Sequence, residues 1–320
     1  MEEILKVNHI LRAAVAGVAL TLAGGAAAQS YPARTITFLD NIPGGAQEAA
    51  KRTIVDKIKS NTGATIVYEF RPGGGGALGL QAIKNAAPDG YTIGSTYASA
   101  INLNPLQHPE LNLNPLKDYA PITLMFTAGI IWTGREEHPA KDIRDLVAMA
   151  KAKPESIKIG VFGAGNRFFM AQLEEKTGAK FLQVPFKTLG EGMAAVLGGV
   201  VDASFDSPTA VLGQKGKIKA FMSSLYPRWP YLADTPTSVE LYGVEFNSWQ
   251  GVLAPAGTRP EVVNWLSREF VRAVNDPAIT KNLIEQGLAL VGSTPAEFTA
   301  TLSKEIKEND ALVKKYPDIH

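Results

Sequence analysis

The sequence contains no cysteine in its 320 residues. That excludes disulfides, thiolate metal sites, cysteine nucleophiles and lipid attachment to a cysteine. Histidine is scarce. The four are His9, His108, His138 and His320, and no two stand at ligand spacing, so a zinc site has no support. Charge of one sign is not in excess either. The 32 Lys+Arg nearly cancel the 31 Asp+Glu, and no long basic run occurs, so nothing points to nucleic acid as a partner. Beyond the N-terminal segment, no uninterrupted apolar run reaches the ~18 residues that a membrane-spanning helix needs. A G-x-S-x-G elbow is missing. A Ser–His pair would have to use His108 or His138, each followed by a proline in an expected loop. What remains is an ordinary globular composition, 45 % hydrophobic and 20 % charged. The length suggests two domains, since single cores stop growing near ~250–300 residues.

Residues 1–28 read as a secretory signal. Lys6 and Arg12 give a weakly basic start, with Glu2 and Glu3 as atypical neighbours, and Ala13–Ala23 is an apolar run too short to span a bilayer. Ala26-Ala27-Ala28 offers the small side chains of a cleavage site, so the mature chain is expected to begin at or near Gln29. A soluble, neutral, cysteine-free product without a lipid anchor fits a bacterial periplasm.

The mature chain alternates strand and helix signals. Thr35–Leu39, Ile66–Phe70 and Thr92–Thr96 are short β-branched or aromatic runs, separated by helical stretches ending near Lys59 and spanning Ala77–Asn85. This βαβαβ order implies a parallel sheet covered by helices. Asn102–Asp118 is rich in Asn and Pro and reads as an irregular connection with interleaved leucines. After strands at Ile122–Met125 and Ile130–Thr133 the alternation resumes. Helices are expected over Ile143–Lys151, Arg167–Thr177 and Leu189–Leu197, with strands over Ile157–Val161, Phe181–Val184 and Ala203–Phe205. Strand-like Ala220–Ser223 and Trp249–Ala254 follow, then three helices. In the first, Val262, Leu266, Phe270 and Val274 form one apolar stripe. The last opens on Thr294-Pro295-Ala296-Glu297, a capping box with proline at the first helical position.

Two glycine-rich turns lead from strand to helix. In Pro43-Gly44-Gly45-Ala46, small residues let backbone amides converge at a helix start; a tight structural turn is the plainer explanation. Gly160-Val161-Phe162-Gly163-Ala164-Gly165-Asn166-Arg167-Phe168 imitates a dinucleotide fingerprint. Phe168 stands where the third glycine should be, and the next strand ends in Pro185 with no carboxylate for a ribose, so no nicotinamide or other cofactor is expected. A pair of such loops facing across a cleft could hold the two ends of an acidic ligand.

An ordered series of motifs carries a resemblance along nearly the whole mature chain. They are Tyr31-Pro32, Pro43-Gly44-Gly45, Arg71-Pro72-Gly73-Gly74-Gly75-Gly76, Ala87-Pro88-Asp89-Gly90-Tyr91-Thr92, Asn104-Pro105 and Asp118-Tyr119-Ala120-Pro121. Val184-Pro185-Phe186-Lys187, the run Val196–Asp202, the run Trp249–Thr258 and Thr294–Phe298 complete the series. In this order they resemble the Bug family, the extracytoplasmic solute-binding receptors of tripartite tricarboxylate transporters. The resemblance implies an α/β fold of two domains, each a mostly parallel sheet flanked by helices, with two crossing segments and a ligand cleft between. The expected division is 29–125 with 225–320, and 126–224. It implies capture of a small carboxylate (a di- or tricarboxylate, or an aromatic acid) by backbone amides and hydroxyls, membrane transporter subunits as partners, a monomer, and no catalysis.

The residues expected to bind ligand are Ile42, Pro43, Gly44, Gly45, Ala46 and Gln47 with Tyr97 and Ser99 on one side. On the other are Gly163, Ala164, Asn166, Arg167 and Phe168, with Lys187 and Thr188. Asp206 joins them as a ligand contact or, alternatively, as the cap of a helix from Pro208. Lys187 reads equally as a solvated charge, and Arg71 as an anchor of its glycine loop. The chain departs from the family at Glu48, where Asp is frequent. It departs again at Phe162–Phe169, where a hydroxyl and an imidazole give way to a guanidinium and rings. Arginine opposes the dipole at a helix start, so Arg167 is a poor choice for stability alone. It either covers Phe168 or Phe169 at the surface or reaches a ligand carboxylate. Other functional classes compatible with the sequence are a ligand sensor feeding a two-component system and, less simply, an exported enzyme.

Overall fold

The computed structural model describes residues 31–41, 45–225, 227–246 and 248–319. The expected signal segment lies outside them. In chain order the strands are β1 (Ile36–Asp40), β2 (Ile66–Phe70), β3 (Thr92–Tyr97), β4 (Tyr119–Ala128), β5 (Ile131–Arg135), β6 (Lys158–Phe162), β7 (Leu182–Phe186), β8 (Ala203–Asp206), β9 (Ile218–Ser223), β10 (Trp249–Pro255) and β11 (Leu288–Leu290). The helices are α1 (Gly45–Thr62), α2 (Ala77–Lys84), α3 (Asn104–Gln107), α4 (Ile143–Ala152), α5 (Gly163–Thr177), α6 (Leu189–Leu197), α7 (Pro208–Gly213), α8 (Ser238–Tyr242), α9 (Pro260–Val274), α10 (Pro277–Glu285) and α11 (Pro295–Lys315).

Two sheets result. The first has the order β11-β4-β10-β3-β1-β2, the second β7-β6-β8-β5-β9. The parallel pairing expected from the βαβ alternation is present in β1 with β2 and β3, and in β6 with β7 and β8. The remaining pairs, which involve β4, β5, β9, β10 and β11, are antiparallel. Both sheets are therefore mixed rather than mostly parallel. The cause is the crossing of the chain: strands that leave one sheet and return to it run against their neighbours.

That crossing also positions the site. β3 and β4 both pair antiparallel with β10, so they run in the same direction. β8 pairs antiparallel with β5 and parallel with β6. Hence the link Gly129-Ile130 joins the carboxyl end of β4 directly to the edge of the second sheet where β6 and β8 end. The return from β9 to β10 joins the same two edges. The links are tied together: the Ser224 N–H donates to the Ile130 carbonyl (2.9 Å), the Ile130 N–H to Ser224 Oγ (3.0 Å). The strand ends of the two sheets, with their loops, meet at this crossing. In open α/β sheets, ligands bind outside the carboxyl ends of strands.

Each sheet has its own core. In the first, the α9 stripe Val262, Leu266, Phe270 and Val274 is fully buried, and Phe38 lies 6.1 Å from Phe270. In the second, Trp132 sits edge-on to Phe169, Phe181 and Phe205 at 5.0–6.1 Å, the arrangement that aromatic quadrupoles favour. The capping box expected at the last helix is present in full: the Glu297 N–H donates to Thr294 Oγ1, and the Thr294 N–H to Glu297 Oε2.

Candidate functional site

In the first sheet, the site is built on the ends of β1 and β3 and the start of β10. Ile42, Pro43 and Gly44 lie outside the described residues; Gly45, Ala46 and Gln47 open α1. Beneath this helix start is a buried polar cluster that the sequence did not announce. Asp40, the last residue of β1, accepts from the Lys51 ammonium and Ser95 Oγ (2.8 Å) through Oδ1, and from the Tyr68 hydroxyl (2.7 Å) through Oδ2. Asp40 and Lys51 are fully buried. Burial holds the Lys51 ammonium below its ordinary pKa, against the pull of Asp40, and raises Tyr68. The cluster joins β1, β2, β3 and α1 on both sides of the loop after Asp40.

Gln47 and Gln250 bridge α1 to β10, with Gln250 Nε2 donating to Gln47 Oε1 (3.0 Å). Gln250 is 1 % exposed, and its Oε1 has no partner among the described residues. Tyr97 ends β3, directly opposite Gln250, and burial pushes its hydroxyl up to about 12. Ser99 opens a π-helical turn, Ser99–Leu103. Such wide turns recur at functional sites. The elements therefore bring Gln47, Tyr97 and Gln250 to one edge. Gln250 stands beside the candidate residues Gln47 and Tyr97, and sequence reasoning did not single it out. Its one signal was its place at the first strand residues after the return crossing.

In the second sheet, α5 begins at Gly163, four residues earlier than expected. Gly163 takes a left-handed backbone (φ +62°), with nothing near the position a Cβ would fill. Asn166 Oδ1 accepts from the Phe162 N–H (3.1 Å) and so holds strand to helix. Arg167 thus lies in the second turn, half-buried, and among the described residues its guanidinium has no ion-pair or hydrogen-bond partner. Phe168 and Phe169 are buried, Phe169 in the aromatic core. Ala164 is half-buried. Lys187 and Thr188 are exposed after β7. The Thr188 hydroxyl accepts from the Glu191 N–H and caps α6.

Asp206 ends β8 and is 1 % exposed. Its Oδ2 accepts from Ser204 Oγ (2.8 Å) and the Thr133 hydroxyl; Oδ1 has no partner among the described residues. Burial raises its pKa against those two hydrogen bonds. The helix after it is capped by Ser207, whose Oγ accepts from the Ala210 N–H, so Asp206 is not the cap. Arg71 pairs with Glu69 at the exposed edge of the first sheet, beside a groove of about 490 Å³ that also touches Thr37 and Leu78. That groove lies on the β2 edge, away from the crossing.

The arrangement is two rows of strand-end loops, one carrying neutral amide and hydroxyl groups, the other an unpaired guanidinium. Among the described residues no group of carboxylates and imidazoles could hold a metal ion, and no helix is long and apolar enough to cross a membrane. This defines a two-sheet solute-binding protein. Residues 50–317 match the family model of the tripartite tricarboxylate transporter family receptor, and the chain belongs to that family. It is 27 % identical over 315 residues to protein BugT of Bordetella pertussis, covering 94 % of this chain and 96 % of that one. Among solved structures it is similar to a periplasmic transporter (30 % identity, TM-score 0.76, covering 91 % of this chain and 99 % of that one). It is also similar to the periplasmic binding protein BugD (27 %, TM-score 0.74, 89 % and 98 %). The fold is shared with a Rhodopseudomonas palustris protein solved with malate, MatC, at 24 % identity and TM-score 0.73, covering 88 % of this chain and 100 % of that one.

Proposed function

We propose that this receptor is exported through residues 1–28 and works in the periplasm as a monomer. It captures a small organic carboxylate between the two rows of loops and hands it to the membrane subunits of a tripartite transporter, without chemical change. Residues 29–125 with 225–320 form one closing domain and 126–224 the other. The ligand contacts are the loop 42–47 with Tyr97, Ser99 and Gln250, facing Gly163, Ala164, Asn166, Arg167, Phe168, Lys187, Thr188 and Asp206.

The observation that carries this reading is Arg167. A half-buried guanidinium in the second turn of α5, with no partner among the described residues, invites an anion. The MatC structure with malate and a Rhodopseudomonas palustris structure with adipate support a carboxylate as that anion. Calorimetry of ligand-stripped protein against succinate, malate, adipate, citrate and benzoate tests it. Charge-assisted hydrogen bonds contribute roughly 1.5–3 kcal/mol, so Arg167→Ala should weaken the best acid about 10- to 100-fold. Unchanged affinity would return Arg167 to the surface.

A further inference from the structure

Helix α11 carries a buried carboxylate that the binding reading does not use. Glu305 is 6 % exposed. It accepts from Trp249 Nε1 through both oxygens (3.0 and 2.9 Å) and from Asn102 Nδ2 (2.5 Å). The charged groups acting on it are Glu308 and Lys304 of its own helix, with opposite effects; the elements packed against it supply Trp249 and Asn102. With no buried counter-cation among the described residues, burial outweighs these hydrogen bonds and pushes the carboxyl up to about 7.

Both donors belong to segments that border the site. Trp249 immediately precedes Gln250, whose amide reaches Gln47 on α1. Asn102 lies in the turn Ser99–Leu103, just beyond Tyr97. Glu305 is therefore the tie between two stretches of chain at the cleft edge of the first sheet. Asn102 is 1 % exposed, yet its Oδ1 has no partner among the described residues. Half a turn of the Asn102 amide exchanges Nδ2 for Oδ1, so the same contact can run as a charge-assisted N–H to carboxylate or as a weaker carboxylic O–H to amide oxygen, with the other amide atom unpartnered in either form.

Resting on the binding reading, we propose that Glu305 is a positioning residue: its charged form holds Asn102 and Trp249 so that Tyr97, Ser99 and Gln250 meet the ligand, and gaining a proton loosens that edge and lowers affinity. The receptor then binds its acid more weakly in more acidic surroundings.

The test uses the full mature protein and the Glu305→Gln variant. Gln can accept from Trp249 and donate to a turned Asn102, so it imitates the protonated form and should fold. The Trp249 indole N–H resonance should titrate near neutrality in the natural protein and stay still in Glu305→Gln. Affinity for the tightest binder among succinate, malate, adipate, citrate and benzoate should fall at least about threefold between pH 8 and pH 6, the value of one changed hydrogen bond. In Glu305→Gln it should be weak at pH 8 and nearly flat, which also subtracts protonation of the acid itself. An indole signal that does not titrate, or titrates equally in Glu305→Gln, overturns the proposal. So does a titrating indole with pH-independent affinity. If none of the acids binds, the carboxylate reading fails, and the indole titration still decides whether Glu305 changes its contacts.

Discussion

The pair Asp40–Lys51 offers the sharpest quantitative test of how the site's floor is held. Both side chains are fully buried, and the carboxylate also accepts from two hydroxyls, Ser95 and Tyr68. Lys51→Met keeps the volume of the side chain and removes its charge. A buried carboxylate then loses its ammonium while keeping its hydroxyl donors. Breaking a buried pair from one side typically costs ~3–5 kcal/mol, because the remaining charge is uncompensated. The two hydroxyl contacts place the expected loss near the lower figure. Asp40→Asn alone should cost a similar amount, stranding the ammonium. The double variant Asp40→Asn/Lys51→Met should lie within about 2 kcal/mol of the natural protein, since replacing a buried pair is often neutral. Urea denaturation of the four proteins gives the coupling energy directly. Single variants that lose less than about 1 kcal/mol with no coupling would refute the claim that this pair fastens α1 to the sheet.

Further expectations concern other parts of the molecule. Glu305, raised from about 4.3 unfolded to about 7 folded, contributes stability that is complete below the unfolded value and lost as pH rises through the folded one. At ~1.4 kcal/mol per unit this is about 4 kcal/mol, and Glu305→Gln should flatten that slope in thermal melts between pH 4 and pH 8. Gly287→Ala would place a methyl 2.2 Å from Pro208 with φ at +77°, whereas Gly178→Ala has φ +70° and nothing within 4 Å. The second should cost ~1–2 kcal/mol from the backbone alone. The first should cost more, and equal losses in chemical denaturation would mean that Pro208 yields freely.

Much of the scaffold was legible because its signals are local. The α9 stripe, the Thr294 capping box and the β-branched strand cores depend on neighbours within a few residues. β11, α7 and α8 are short, and their sequences carry no periodicity to mark them. The site divides in the same way. Glycine turns and Arg167 can be seen in the chain, but the chemistry beneath them comes from distant partners: Tyr68 and Ser95 for Asp40, Asn102 and Trp249 for Glu305. No spacing rule joins residues so far apart. Even Asn166, expected at the ligand, reveals its grip on the Phe162 N–H only when the early start of α5 is known.

The strand order has a consequence for how the chain acquires its shape. The second sheet draws all its strands from one continuous stretch, β5 to β9, and can form as soon as that stretch is available. The first sheet cannot: β10 lies between β3 and β4, yet it is made more than a hundred residues after either. Until Trp249–Pro255 arrives, β3 and β4 each show an unsatisfied hydrogen-bonding edge, the kind that pairs with the wrong chain. Non-local pairing of this sort is slow. A chain halted before Trp249 would keep all strands of the second sheet but only β1–β3 of the first, with β4 left without either neighbour, and its sticky edges would make it a better client for a chaperone than a partial receptor.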